Sequence, residues 1–459
     1  MKEQKSGILS AGAGKAEVTP ELGIQIAGDI GRHRPCTGIV EPLYARALAL
    51  QQDDKRYLIL SIDVLAIDNP WADEIRRRVQ AAHGIPPEAV LIHITQNHGS
   101  PSIGNHFCKD SSTLIPAAYP WLRGGDPRYN EPALAGVLKA VGLALKKLTP
   151  VRAATGRAMD GRVAFNRRFV MRDGQTLCHP PSCSPNILHN EGPIDPEVGV
   201  TTFTAEDGRV VSALLHHTCH PCCGYGGTVA MADWPGAWCR EMEAQWGEGC
   251  TPLVINGCCG NVHQNNHLDP EHKDDHRLMG RRLADSTRRA LQKMTPLDAS
   301  RFAWDRRVAP IPRRAVSAEL LADARKMLKE FPEPKWKDAA HIRVDWDWVY
   351  AVGILDIADD RATSPCYPYE IQALRIGDFA LLALMGEPFV EAQLRIKKES
   401  GFPFSMVAHM CNGYLGYVPT PKAFAGGGYE TRTGRGSRLV PEALDQVERE
   451  SLELLARLR

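Results

Sequence analysis

The sequence predicts an α/β fold, in which a mixed, largely parallel sheet core is flanked by helices and carries long active-site loops. Apolar, strand-like runs at 57–65 and 90–95 enclose a helix-like stretch at 71–83. That order at short spacing is typical of a parallel βαβ unit. Further strands are predicted at 198–203, 210–215, 252–255 and 379–384, and further helices at 132–147, 276–294, 317–331 and 441–458. Glycine- and proline-rich segments at 99–129 and 172–196 are long loops, which in a compact domain are often functional.

The composition limits the kinds of partner. The chain has 459 residues, of which 43% are hydrophobic and 24% charged, as in an ordinary globular protein. Its 55 Lys and Arg balance 54 Asp and Glu, so the net charge of +1 provides no field to attract nucleic acid or an anionic membrane. Uninterrupted apolar stretches stay shorter than the roughly 18 residues of a membrane span. We expect a small-molecule substrate, no nucleic acid and no membrane insertion.

The N-terminus and the cysteines predict the compartment. The first residues carry no apolar segment of a signal peptide, so we expect a cytoplasmic protein. The 13 cysteines are an odd number, and in a reducing compartment they are expected to be free thiols. Because no stretch is typical of a linker, one domain over 1–459 is predicted, with a charged, Trp-containing helical insertion at 301–366.

Four segments place metal-capable side chains beside turn-forming residues. They are Thr-Gln-Asn-His-Gly-Ser-Pro at 95–101, His-His-Thr-Cys-His-Pro-Cys-Cys at 216–223, Ile-Asn-Gly-Cys-Cys-Gly-Asn-Val-His at 255–263, and Gly-Glu-Pro at 386–388 with Tyr414, Tyr417 and Tyr429 downstream. The first three follow predicted strands, and the carboxyl ends of parallel strands present ligands at one edge of a sheet. Imidazole, carboxylate and thiolate are the ligands that zinc prefers. A shared edge would therefore form a metal site.

Simpler interpretations stay open at this point. A single histidine after a strand is more often a packing residue than a ligand, so spacing alone does not assign His98 or His220. Cys219 and Cys222 have the two-residue gap of thiol redox motifs, but the neighbouring Pro221 favours a loop and packing thiols. Arg167 and its neighbour could form an ordinary solvated charge pair.

Taken in order, short motifs along the chain resemble the neutral/alkaline non-lysosomal ceramidase family. The motifs are Ala-Gly-Lys-Ala-Glu-Val-Thr-Pro at 13–20, Glu-Pro-Leu-Tyr-Ala-Arg-Ala-Leu at 41–48, Asn-Arg-Arg at 166–168, Gly-Pro-Ile-Asp-Pro-Glu-Val at 192–198, Cys-His-Pro at 219–221, Ala-Asp-Trp-Pro-Gly at 232–236, Gly-Cys-Cys-Gly-Asn-Val at 257–262 and Gly-Glu-Pro at 386–388. The resemblance covers nearly the whole chain. Each motif is short, and their shared order makes the resemblance specific.

The resemblance implies an α/β catalytic domain, unrelated to the Ser-triad hydrolases, that holds one zinc ion by two His, a Glu and a Tyr. The family's zinc ligands match His220, Glu387 and Tyr417. Its active-site Arg and second Tyr match Arg167 and Tyr429. Those two residues would stabilise a developing oxyanion.

Two departures affect the chemistry. The family's Thr-His-Thr-His-Ser-Gly-Pro is replaced at 95–101, so that Gln96 stands where the family has a zinc-binding His, and His98 keeps the second His. The family's catalytic Ser is replaced by His263. Either His98 or His263 completes the metal shell, or Gln96 binds weakly, or the metal is lost or changed. We expect His98 or His263 to move the proton, and Asp233 to orient His220.

Ceramidases of this family carry a signal for export and a C-terminal immunoglobulin-like domain, and neither is expected here. The resulting hypothesis is a zinc-dependent hydrolase that cleaves an amide, ester or glycosidic bond in a small polar molecule rather than in ceramide. One alternative is a carbohydrate-processing hydrolase that uses Trp234, Trp238 and Trp348 as stacking faces. The others are a non-catalytic ligand-binding relative and a thiol redox protein that uses Cys219 and Cys222.

Overall fold

The computed structural model describes residues 7–459. The expectation of no signal peptide concerns mainly residues 1–6, which lie outside the described residues. In chain order the strands are β1 (Ser10–Glu17), β2 (Gly38–Ile39), β3 (Tyr44–Gln52), β4 (Lys55–Ile62), β5 (Val90–Ile94), β6 (Thr149–Met159), β7 (Phe165–Asn166), β8 (Arg168–Met171), β9 (Thr176–Cys178), β10 (Ile187–Asn190), β11 (Glu197–Ala205), β12 (Val210–His217), β13 (Val229–Ala230), β14 (Thr251–Asn256), β15 (Val262–His263), β16 (Thr295–Pro296), β17 (Phe302–Pro312), β18 (Cys366–Ile376), β19 (Phe379–Leu384), β20 (Glu387–Pro388), β21 (Phe404–Ala408) and β22 (Tyr417–Val418). The α-helices are α1 (Asn69–His83), α2 (Pro127–Lys146), α3 (Asp233–Trp246), α4 (His276–Leu291), α5 (Ala318–Glu330), α6 (Trp346–Thr363), α7 (Val390–Glu399), α8 (Pro421–Gly426) and α9 (Ala443–Leu458).

A large mixed sheet runs in the order β14-β12-β11-β6-β1-β3-β4-β5, with β16 beside β6. The predicted βαβ unit is present as β4, α1 and β5, and β4 pairs parallel with β5. β12 also pairs parallel with β14, whereas the other neighbours along this order are antiparallel. The α/β class with a mixed sheet is confirmed. Parallel pairs are fewer than the sequence predicts, because short connections such as the turn at Asp53, with φ of 53°, join successive strands as hairpins.

The large sheet curls, so that strands far apart in its order approach each other. The Ser61 hydroxyl on β4 donates to the carbonyl of Val254 on β14 at 2.7 Å. The Asn256 amide at the end of β14 donates to Nε2 of His93 on β5 at 3.0 Å. The carboxyl ends of β5, β12 and β14 therefore meet.

Asn256 holds these three strand ends together through its side chain. Its Nδ2 donates to the carbonyls of Thr95 and Cys219 at 3.2 and 3.0 Å, and its Oδ1 accepts the Cys219 amide at 3.2 Å. All three residues are buried. The loops at 95–101, 216–223 and 255–263 are thereby fixed against one another.

A second sheet has the order β17-β18-β19-β21. It lies against the large sheet, where His216 Nε2 contacts the carbonyl of Val407 at 3.2 Å. The segment 301–366 is a helical insertion only in part: α5 and α6 lie within it, but it begins with β17, which pairs with β18 along its length. Glu387 follows β19 directly and so reaches the same edge as the three loops.

The expectation of free thiols is met within the described residues, and one further observation concerns the helices. All 13 cysteines are free thiols. Among helices of residues 7–459, none is long and apolar enough to cross a membrane.

Candidate active site

A cavity of about 1110 Å³ opens where the strand ends meet. Its wall contains every predicted site residue except Asp233. The side chains there that can bind a metal, move a proton or donate a hydrogen bond include Gln96, His98, Arg167, His179, His220, Cys222, His263, Asp274, Glu387, Tyr414, Tyr417 and Tyr429. The predicted convergence of the four segments is therefore found.

His220 is oriented by the backbone of the segment at 255–263. Its amide donates to the carbonyl of Val262 at 3.1 Å, and its Nδ1 lies 3.0 Å from the carbonyl of Cys259. A carbonyl can only accept, so Nδ1 carries the proton and Nε2 presents its lone pair to the cavity. That Nε2 lies 3.5 Å from Oε2 of Glu387. Burial lowers the pKa of His220 well below 6.5, which keeps the imidazole neutral and able to bind a metal.

Glu387 is a buried carboxyl group with one oxygen left unpaired. Burial raises the pKa of Glu387 to about 7, against the lowering influence of Gln96, Arg167 and Tyr417. The Tyr414 hydroxyl donates to Oε1 at 3.4 Å. Among the described residues, Oε2 has no hydrogen-bond partner. Such a group is costly to bury unless something binds it.

Tyr417 stands beside Glu387 because β20 and β22 pair in parallel with these two residues in register. Its ring lies 5.8 Å from that of Tyr429. The Arg167 guanidinium lies 5.5 Å from the Tyr417 ring and 5.2 Å from the Tyr429 ring. Burial, and next the charge of Glu387, raise the pKa of Tyr417 well above 10.

Arg167 is not part of a solvated charge pair. It is 3% exposed; its Nη2 donates to the carbonyl of Gly260 at 2.5 Å and its Nε to Oε1 of Glu430 at 3.2 Å. Arg168 is also buried and contacts Oε2 of Glu430 at 3.0 Å. The Arg167 charge is therefore held at the cavity wall, next to both tyrosines.

The altered loop places His98 beside His220. The ring centroids of the two are 5.3 Å apart, and candidate ligand atoms of His98, His220 and Cys222 lie within 4.8 Å of one another. Both His98 ring nitrogens are buried and have no hydrogen-bond partner within residues 7–459. Burial lowers the pKa of His98 to about 3. A Cβ at Gly28 would come within 2.5 Å of His98 Nδ1, so a glycine is needed there.

Gln96 is buried and adopts φ of 62°, a left-handed conformation that is unusual for a residue with a side chain. Its Oε1 lies 3.7 Å from the Cys259 thiol. Its side-chain amide also lowers the pKa of Glu387. Gln96 thus lies at the predicted position but is partly engaged by protein groups.

His263 belongs to a different group of histidines from His98. Its ring centroid lies 4.7 Å from that of His179 and 5.4 Å from that of His267. Sequence reasoning missed His179 and His267, because both lie in loops that lack periodicity. It also took Cys222 for a packing thiol, although Cys222 lines the cavity beside His220.

Asp233 does not orient His220, so that prediction is wrong. Its carboxylate accepts the amides of Gly224 at 3.2 Å and Trp234 at 2.7 Å and so holds the start of α3. The backbone carbonyl of Cys259 takes the orienting role, which the sequence pattern could not indicate.

The predicted stacking residues and one of the two predicted redox thiols lie in the core. Trp234, Trp238 and Trp348 are at most 1% exposed and pack in hydrophobic clusters. Cys219 is also fully buried, and burial raises its pKa well above 9, which disfavours the reactive thiolate. These positions favour neither a sugar-stacking face nor a redox thiol pair.

The donor set fits a zinc ion. The His220 imidazole and the Glu387 carboxyl group face each other at 3.5 Å, and Tyr417 stands beside Glu387 in the β20–β22 pair. Both Glu387 Oε2 and the His98 nitrogens are buried without partners among the described residues. A protein that closed this site without a ligand would leave these polar atoms unsatisfied.

The fold and this convergence of strand-end loops define an α/β protein with the neutral ceramidase fold. The solved structure of the neutral ceramidase from Pseudomonas aeruginosa matches with a TM-score of 0.73 at 18% sequence identity, covering 98% of this chain and 74% of that one. A ceramidase complexed with C2 matches with a TM-score of 0.72 at 17% identity, covering 99% and 75%. No protein-family model matches the sequence, and no curated protein does.

Proposed function

We propose that this protein is a zinc-dependent hydrolase that acts on an amide, ester or glycosidic bond of a small polar substrate. The observation that carries the proposal is the unpaired Oε2 of Glu387, which lies 3.5 Å from Nε2 of His220 in the cavity wall. Two ligand atoms of the types that zinc prefers thus face each other with no protein group between them.

His220, Glu387 and Tyr417 would hold the metal, and His98 would complete the shell. His98 is the strongest candidate because its ring lies beside His220 and its nitrogens have no partner in the described part of the chain. Gln96 is a weaker candidate, since a neutral amide oxygen suits zinc less well than imidazole. When bound, zinc would supply Lewis-acid chemistry that polarises the scissile bond and acidifies a water molecule.

Arg167 and Tyr429 would steady the negative charge that develops on the substrate. The Arg167 guanidinium is fixed by Gly260 and Glu430, so it does not need to reorganise during the reaction. Tyr429 is 38% exposed and lines the cavity, where a substrate can reach it, and its ring lies 5.2 Å from the Arg167 guanidinium. Neutral His263 would accept or hold a proton if no metal occupies its nitrogen.

The cavity wall is mixed, because apolar residues such as Ile30, Phe107 and Val349 line it beside polar groups that are not proposed metal donors. Those polar groups include Gln264, Asn265, Asp274 and Arg432. They support a substrate that carries polar groups of its own. The 13 free thiols support the cytoplasm as the compartment of action.

Metal analysis of the purified protein tests the proposal. We expect stoichiometric zinc in the wild type and loss of the ion bound at this site in H220A and E387Q. The control is H189A, since His189 is an exposed histidine on β10 away from the cavity. Absence of a metal that depends on His220 and Glu387 would overturn the proposal.

Activity separates an enzyme from a non-catalytic relative. A panel of chromogenic amides, esters and glycosides should contain a substrate whose hydrolysis is lost in H220A and kept in H189A. Retained zinc without turnover of any class would favour the ligand-binding alternative. Turnover that survives in H220A and disappears in C219S would favour the thiol protein.

A further inference from the structure

A second group of metal-capable side chains lies at the edge of the same cavity, which His179 and His263 line. Candidate ligand atoms of His179, His263 and His267 all lie within 4.8 Å of one another. His179 meets both of the others edge to face, with ring centroids 4.7 and 5.7 Å away. His263 and His267 are stacked at 5.4 Å.

The backbone holds each of the three histidines in place. His263 lies on β15, which pairs with β7. The His179 amide donates to the carbonyl of Arg167 at 3.1 Å, and the His267 carbonyl accepts the Cys183 amide at 2.8 Å. The ring of Phe169 packs edge to face on His267 at 5.6 Å. The group is therefore assembled from separate loops and does not arise from adjacent positions on one element.

Two of the three imidazoles, those of His263 and His267, are buried and lack hydrogen bonds that a packing histidine normally makes. His263 is 2% exposed and His267 is 5% exposed. Within the described residues, Nε2 of His263 and both ring nitrogens of His267 have no hydrogen-bond partner. If these side chains served only to fill space, carbocyclic rings such as Phe would pack equally well. Burying ring nitrogens without hydrogen-bond partners costs free energy, so their presence indicates a ligand.

We propose that His179, His263 and His267 form a second site for a divalent metal ion, with Zn²⁺ the best match, which the cavity reaches through His179 and His263. Three imidazoles are a donor set suited to zinc and to other late first-row metals. Zn–N bonds are about 2.0–2.1 Å long, so the three nitrogens, which lie within 4.8 Å of one another, have to close on a common ion when it binds. A site with three protein ligands keeps a coordination position for water or a substrate oxygen.

The assignment is independent of the site at Glu387, because the two sites share no ligand. It does change the role of His263. Metal ligation and proton transfer both need a lone pair of the imidazole, so His263 binds the second ion instead of moving a proton.

Counting zinc by mass spectrometry of the native protein, after loading and removal of excess metal, tests the proposal. We expect two ions in the wild type and in H189A, one in H179A, one in H220A, and none in the double variant. H179A is the most informative single change, because His179 is exposed and its replacement leaves the buried pair in place. Circular dichroism melting curves verify that each variant folds.

The outcomes separate the two sites. One ion in the wild type that depends on His220 and is unaffected by H179A would overturn the second site and leave the first intact. One ion that depends on His179 and His267 and is unaffected by H220A would support the second site and overturn the first. If H179A keeps two ions, the H263A variant is decisive. Two ions in H263A would overturn the three-histidine site. One ion in H263A would show that His263 and His267 are ligands and that His179 is not.

Discussion

Nε2 of His220 and Oε2 of Glu387 lie 3.5 Å apart, although the two residues follow strands of different sheets. His220 follows β12 of the large sheet, and Glu387 follows β19 of the smaller one. Their approach depends on the packing of the two sheets, and it brings a neutral imidazole against a carboxyl group whose pKa burial raises to about 7, so that a large fraction of it is protonated near neutral pH. Metal binding would remove that proton and pair both atoms.

The first prediction concerns the pH dependence of stability in metal-free protein. Burial raises the pKa of Glu387 from 4.5 to about 7 in the folded state. Between these values the unfolded chain releases the proton while the folded chain keeps it, so this group lowers the free energy of unfolding as pH rises. E387Q should therefore gain stability relative to the wild type from pH 5 to pH 8, by up to a few kcal/mol.

Paired melting curves in the presence of chelator measure this difference. A melting-temperature difference between E387Q and wild type that stays constant over the range would contradict the shifted pKa. With zinc present we expect the order to reverse, because E387Q loses a ligand.

The second prediction concerns the altered loop. Q96H should tighten zinc binding by about tenfold or more, equivalent to about 1.4 kcal/mol, because imidazole replaces a neutral amide oxygen. In the wild-type background H98A should weaken binding, and in the Q96H background the same change should matter much less. Titration against a competing chelator gives the four affinities. Equal losses on H98A in both backgrounds would contradict His98 as the replacement ligand.

The third prediction concerns transition-state stabilisation. Y429F should lower kcat by about 10²-fold with little change in KM, because the ring contact with Arg167 is kept while the hydroxyl donor is removed. Steady-state kinetics on the substrate found in the panel, with zinc content and melting temperature as controls, measure the effect. An unchanged kcat would exclude the hydroxyl from the reaction.

The fourth prediction concerns the residue that holds the loops together. N256A should lower the free energy of unfolding by about 2–5 kcal/mol, because it leaves the buried carbonyls of Thr95 and Cys219 without their donor. N186A, at an exposed loop position, is the matched control and should change little. Urea unfolding measures both. A cost for N256A no larger than that for N186A would show that Asn256 does not hold the strand ends.

The sequence predicts much of this fold because the strands that form its core are apolar runs. The runs at 90–95, 210–215 and 379–384 correspond closely to β5, β12 and β19. By contrast α3 was missed, because Trp-Pro-Gly at 234–236 reads as a loop. β17 was missed because its charged residues belong to the segment 301–366, whose composition indicates a helical insertion.

The sequence predicts a site residue only where that residue belongs to a recognisable motif. His220, Glu387 and Tyr417 came from the resemblance to ceramidases, and the structure brings all three to one cavity. His179 and His267 have no motif, and a sequence cannot show that two loops meet around His263. The carbonyl of Cys259 as the partner of His220 was equally hidden, since backbone groups leave no residue signature.

Anomalous scattering at the zinc edge from crystals of zinc-loaded protein tests the central claim most directly. We predict an anomalous peak bound by His220 Nε2, Glu387 Oε2, Tyr417 and His98. A map of well-ordered, zinc-loaded crystals with no peak between His220 and Glu387 would contradict the account.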